Sequence, residues 1–156
     1  MVPLRMAKIP RIEQTYYYVA PPSRIFAALT EPSELAKWFV EKAVFPTKAG
    51  ATFRLTWRGE YTMKGKVLVF DPPTKLHLEW VDRFEGGQVF VTEARFTLKK
   101  KGKGTLLSLT HRGFKSGKKW IALYGSIQSG WTFYLTNLRS VLERGVDLRR
   151  KFDVLG

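Results

Sequence analysis

Apolar and polar residues alternate through the middle of this chain and shift to a longer period near its C-terminal end. ATFRLTWR, residues 51–58, sets Phe53, Leu55 and Trp57 against Arg54, Thr56 and Arg58. That two-residue period marks a strand with one face buried. KLHLEWVDR, residues 75–83, sets Leu76, Leu78 and Trp80 against His77, Glu79 and Val81. QVFVTEARFTLKK, residues 88–100, places Phe90, Thr92, Ala94, Phe96 and Leu98 on one face. TLLSLTHRGF, residues 105–114, does the same with Leu107, Leu109 and His111. YTMKGKVLVFD, residues 61–71, reads as a strand with Tyr61, Met63, Val67 and Val69 together. KAVFPT, residues 42–47, is a short strand, and the ring-rich RIEQTYYYVA, residues 11–20, is the first one. Gly59, DPPTK, EGG and KGKG supply the turns between them.

Three segments read as helices. PSRIFAALT, residues 22–30, follows Pro21, and EPSELAKWFV, residues 31–40, starts with Ser33 as the expected N-cap. From about Trp120 to Arg144 the apolar positions recur every 3.6 residues: Leu123, Tyr124, Ile127, Trp131, Tyr134, Leu135 and Leu138 share one stripe. Gly145 then provides a natural C′ residue. The order is one strand, two short helices, about six strands joined by tight turns, and one long helix. The expected fold is therefore α+β: a curved antiparallel sheet of about six to seven strands wrapped around the C-terminal helix, with two short helices after the first strand. A length of 156 residues suits a single domain, 1–156, and no linker or repeat divides it. Residues 1–10 are expected to be a loose tail.

Four segments, PPSRIFAALTEPSELAKWF, GKVLVFDPPTKLHLEW, GTLLSLTHRGF and SGWTFYLTNLRSVLERG, occur in the order and spacing of a known superfamily. Over roughly residues 11 to 149 the chain resembles the helix-grip superfamily, which includes START lipid-transfer domains, polyketide cyclases and the birch-pollen allergen. Within it, the chain is most similar to single-domain proteins resembling the C-terminal domain of activators of the ninety-kilodalton heat-shock chaperone ATPase. The resemblance implies a cavity between helix and sheet, with its mouth near Trp38. It does not fix a function, because the fold serves carriers, receptors, cyclases and co-chaperones alike. Full chaperone activators carry a further N-terminal domain, for which this chain is expected to have no room.

The inward faces nominate the lining of such a cavity: Trp38, Phe53, Leu55, Trp57, Met63, Val67, Leu78, Trp80, Phe90, Thr92, Leu109, His111, Tyr124, Ile127, Trp131 and Tyr134. These rings can line a space for a small apolar or amphipathic molecule, or fill that space themselves. His111 is the one titratable group on an apolar strand face. Its expected role is structural, through a bond to a backbone carbonyl or the following loop. A cyclase- or hydrolase-like enzyme would need His111 or Tyr124 as acid or base. No second inward titratable group accompanies them, so a binding module is the leading expectation. Glu79 and Glu93 fall on the outward face near Arg95, as cross-strand charge pairs rather than catalytic carboxylates. GFKSGKK departs from a phosphate loop in both spacing and last residue.

Composition narrows the chemistry further. The absence of Cys excludes disulfides and thiolate chemistry, and two His are too few for a typical His-based metal centre. Neither metal nor cofactor is expected. No apolar run approaches the length of a membrane span, and no signal-peptide pattern opens the chain, so a cytoplasmic location is the default expectation. The formal net charge of +14 is unevenly placed. No acid lies between Glu93 and Glu143, a stretch holding ten bases. A solvated basic surface accounts for this, and an acidic protein partner is the functional alternative. Nucleic acid is not the expected partner, because base stacking needs exposed rings beside the lysines and these rings point inward. Val81, Val89 and Val91 on the mixed outer face leave both a monomer and a homodimer open.

Overall fold

The computed structural model describes residues 8–84 and 86–153. Strand β1, Ile12–Tyr18, leads into helices α1, Pro22–Thr30, and α2, Pro32–Trp38. Six strands follow: β2, Lys42–Val44; β3, Thr52–Thr56; β4, Thr62–Asp71; β5, Lys75–Arg83; β6, Val89–Lys101; and β7, Gly104–Arg112. Helix α3, Lys118–Arg144, spans roughly 40 Å at 1.5 Å per residue. A short helix α4, Leu148–Asp153, comes after it. The seven strands form one antiparallel sheet in the order β1-β7-β6-β5-β4-β3-β2. This is the expected α+β architecture, and α4 was not foreseen. Of the expected loose tail, residues 1–10, positions 1–7 lie outside the described residues; within 8–10, Ile9 packs against the cluster of Ile12 and Phe114.

Alternation assigned the strand faces well where pairing is regular. In β5, Leu76, Leu78 and Trp80 are buried, and in β7 so are Leu107, Leu109 and His111. In β4 the expected face is corrected. The register with β5 shifts between Val67 and Val69, so Val67 pairs with Leu78 but Val69 pairs with His77 on the other face. A one-residue irregularity exchanges the faces beyond it. Phe70, not Val69, then reaches the core, edge-on to Phe26 of α1 at 5.3 Å. Gly65, one turn earlier, sits where a Cβ would lie 2.0 Å from the Glu79 carbonyl and 2.8 Å from the Phe53 ring. Only a residue without a side chain allows Phe53 to lie over the sheet there.

The short helices also differ in one detail. Residue Glu31, not Ser33, is the N-cap of α2, with Pro32 in the first turn, where its missing N–H costs nothing. Gly145 ends α3 in the left-handed conformation at φ 67°, and its N–H and that of Val146 return to Val141 and Ser140.

Specific polar bonds hold α3 against the sheet and against α2. Tyr18 is fully buried and donates its hydroxyl to the Leu135 carbonyl at 2.7 Å. Asn137, also fully buried, donates to the Trp38 carbonyl at 2.9 Å and to Asp147 at 3.0 Å, and accepts from the Leu148 N–H at 2.7 Å. Arg149 reaches back to the carbonyls of Ala36 (2.8 Å) and Val40 (3.2 Å) while pairing with Asp147 (2.9 Å). The Trp38 and Ala36 carbonyls at the end of α2 are thereby capped by Asn137 of α3 and by Arg149 from beyond it.

Candidate functional site

The nominated residues separate into four groups. Trp38, Phe53, Leu55, Met63, Val67, Leu78 and Leu109 form the closed core, each no more than 4% exposed. Trp38 therefore does not stand at a mouth: its indole donates to the Ala28 carbonyl at 2.9 Å, beneath the surface. Between α2, α3 and the sheet, the space around Trp38, Phe96 and Trp131 amounts to only about 10 Å³. That is less than one water needs. The rings fill the helix–sheet interior themselves. Phe90 and Tyr124 belong to a second, separate cluster with Ile12, Phe114 and Leu123. Phe114 meets Tyr124 edge-on at 5.1 Å.

Thr92, His111 and Trp131 make a buried polar triad. The Trp131 indole N–H can only donate, and it does so to His111 Nδ1 at 3.0 Å. The His111 proton must then sit on Nε2, where it is donated to Thr92 Oγ1 at 2.7 Å. Burial lowers the pKa of this imidazole to about 3, although Glu93 pulls weakly the other way. His111 is thus neutral at physiological pH, with both nitrogens engaged. Its partners are two side chains, not the expected backbone carbonyl or following loop. On the outer face Glu93 pairs with Arg95 and, at 3.5 Å, with Arg112. Burial pushes the Glu93 pKa up, yet the two guanidiniums and their hydrogen bonds outweigh it and hold the carboxyl low. Glu79 stands directly opposite Glu93 in the sheet, so the two are not a pair of opposite charges.

The fourth group, Trp57, Trp80, Ile127, Trp131 and Tyr134, lies where the helix and sheet part. There they wall a groove of about 300 Å³, open to solvent between the N-terminal half of α3 and the start of β4. Phe39 stands at its inner end, 5.2 Å from Trp57 and 5.0 Å from Tyr134. Trp80 and Trp131 face each other at 5.1 Å. Gly130 leaves room on the α3 side, since a Cβ there would meet nothing within 4 Å. Among the described residues one acid lines the groove: Asp82, 7% exposed. Its Oδ1 accepts the Tyr61 hydroxyl at 3.0 Å, and its Oδ2 has no partner among the described residues. Burial raises the Asp82 pKa, partly offset by that hydrogen bond. Burial, followed by the neighbouring Asp82, raises the Tyr61 pKa as well. Phe39, Tyr61 and Asp82 were not nominated from sequence. Continuing the alternation Leu76, Leu78, Trp80 by one step reaches Asp82, so that signal was present.

A second, larger depression of about 750 Å³ lies beyond Phe39, Trp57 and Tyr134, with Glu41, Lys42 and Arg150 among its lining residues. Among the described residues no three His, Cys, Asp or Glu gather as metal ligands. No described helix is long and apolar enough to cross a membrane.

Solved structures share this fold. Protein MLL2253 from Mesorhizobium loti superposes with a TM-score of 0.77 at 22% identity, covering 86% of this chain and 98% of that one. The Aha1 dimer from Colwellia psychrerythraea gives 0.73 at 22% identity, covering 88% and 98%. PFC0360w, an HSP90 activator from Plasmodium falciparum, gives 0.70 at 23% identity, covering 85% and 96%. No curated protein matches the chain. The family described as Activator of Hsp90 ATPase homolog 1-like protein matches residues 19–143, from the end of β1 almost to the end of α3. With the helix-grip architecture and that match over most of its length, the chain belongs to the Activator of Hsp90 ATPase homolog 1-like family.

Proposed function

We propose that this chain is a binding module that holds a small apolar or amphipathic molecule in the groove beside α3. One contrast carries the reading. The interior beneath the helix offers about 10 Å³, whereas the ring-walled groove offers about 300 Å³. The latter is at the lower end of small-molecule sites. Trp57, Trp80 and Trp131 contribute apolar wall there, and Ser126 and Asp82 supply polar points for orientation. The expected position of the ligand moves accordingly, from an enclosed cavity to an open groove. His111 contributes by fixing the Trp131 indole that forms part of the wall. As a neutral ring with both nitrogens bonded, it offers little as an acid–base group near neutral pH.

The experiment is native mass spectrometry of the protein purified from its own cells, with Gly130→Leu as the control. A leucine at that site projects into open groove space and favours the helix by roughly 0.5–1 kcal/mol over glycine. A co-purifying small molecule that disappears in the variant supports the reading. A molecule retained by both proteins places binding elsewhere.

A second reading, a protein-interaction or co-chaperone module, rests on family membership and on the basic stretch from residue 94 to 142. Lys99, Lys100, Lys101 and Lys103 are exposed at the β6–β7 turn, where they suit an acidic partner. Its test is the ATPase rate of the chaperone with and without this protein; an unchanged rate removes it.

A further inference from the structure

The charge inside the groove is opposite to the charge of the chain. The sequence carries 27 Lys and Arg against 13 Asp and Glu, yet among the described residues the groove lining includes one carboxylate and no basic side chain. That carboxylate, Asp82, is more than nine-tenths buried and keeps one oxygen without a partner among the described residues. A buried, half-satisfied carboxylate is costly unless something binds it. Around it stand the rings of Tyr61, Trp57, Trp80 and Trp131, whose faces carry negative potential and attract cations. The other titratable groups on the lining are Tyr61 and Tyr134. Burial raises the pKa of both, so they remain neutral phenols at physiological pH.

Building on the groove as a binding site, we infer that its ligand is an organic amine: an apolar or aromatic body packed along the rings that wall the groove, with its ammonium on Asp82. Tyr61 is 43% exposed and stands at the groove edge. Its hydroxyl stays on Oδ1, and the ammonium supplies the partner that Oδ2 lacks among the described residues. A carboxylate or phosphate ligand is disfavoured at this point, because it would meet Asp82 with no cation to offset it.

The test compares 1-naphthylmethylamine with its neutral counterpart 1-naphthylmethanol by titration calorimetry at pH 7.5 and low salt. The wild-type protein and Asp82→Asn are both titrated. The amine is expected to bind the wild type about tenfold or more tighter than the alcohol, as a charge-assisted hydrogen bond provides. In Asp82→Asn the two affinities should fall within about twofold of each other, with the alcohol unchanged. Equal affinities in the wild type overturn the amine assignment and leave the groove reading intact. So does a preference that survives in Asp82→Asn. Absence of binding by both molecules overturns the amine assignment and the groove reading together. The wild-type comparison needs no variant to fold.

Discussion

Lowering the pH from 7.5 to 5.0 should weaken this fold through one buried ring. In the native state His111 resists protonation, with its pKa lowered to about 3 by burial, while an unfolded histidine titrates near 6.5. Between these values the unfolded chain binds more protons than the folded one, so stability falls as pH falls. The contribution is fully present above about pH 6.5 and is lost progressively down to about pH 3. At pH 5.0 the loss amounts to about 2 kcal/mol, or about 1.4 kcal/mol per pH unit on the steep part. For a chain of this size that lowers Tm by roughly 4–8 °C. His77 is also lowered, by burial and by Arg95, and adds in the same direction. Glu34, Glu93 and Asp147 are held low and add their own losses toward the acid end. Asp82 is raised and acts oppositely. The informative quantity is therefore a difference. In His111→Gln the amide oxygen can accept from Trp131 and the amide nitrogen can donate to Thr92, without titrating. Urea unfolding followed by Trp fluorescence, at half-unit steps from pH 7.5 to 5.0, gives both slopes. The wild type should lose about 2 kcal/mol more than the variant across that range. Equal slopes would refute the assignment of His111 as a ring kept neutral by its surroundings.

Three further outcomes follow from the packing. Gly65→Ala should unfold or severely destabilise the protein, by more than about 3 kcal/mol, because its Cβ would collide with the Glu79 carbonyl and the Phe53 ring; thermal melts measure this. Tyr18→Phe should cost about 1 kcal/mol in urea unfolding, since it removes one buried hydrogen bond while the ring stays in place. Asn137→Ala should cost about 2–4 kcal/mol, more than Tyr18→Phe, because three bonds from one fully buried amide are lost together. Urea midpoints of the two variants, measured side by side, test that order.

Local alternation carried most of the fold. Strands β5, β6 and β7 were legible because the β5–β6 and β6–β7 pairings run without a register shift, so every second residue keeps its face. Val69 was misplaced because the register shift depends on β4 and β5 together and leaves no mark in either segment alone. Helix α4 went unread because LRRKFD is short and charged; Arg149, paired with Asp147, ties its start to α2. The candidate site was partly legible. Trp57, Trp80, Ile127, Trp131 and Tyr134 do meet around one space. Which rings fill the interior and which border an opening depends on how far α3 stands from each strand, and residue identity does not encode that distance. Trp38 and Phe39 show the limit. They are adjacent and stacked at 4.8 Å, yet one is sealed in the core and the other lines the groove.

Arg149 and Asp147 lie beyond residue 143, where the family likeness ends. An expression fragment cut at that boundary would keep every strand and nearly all of α3 and still lose the guanidinium that reaches Ala36 and Val40. The end of α2 would come loose beside Phe39, so trimming a remote, charged tail would reshape the inner end of the groove.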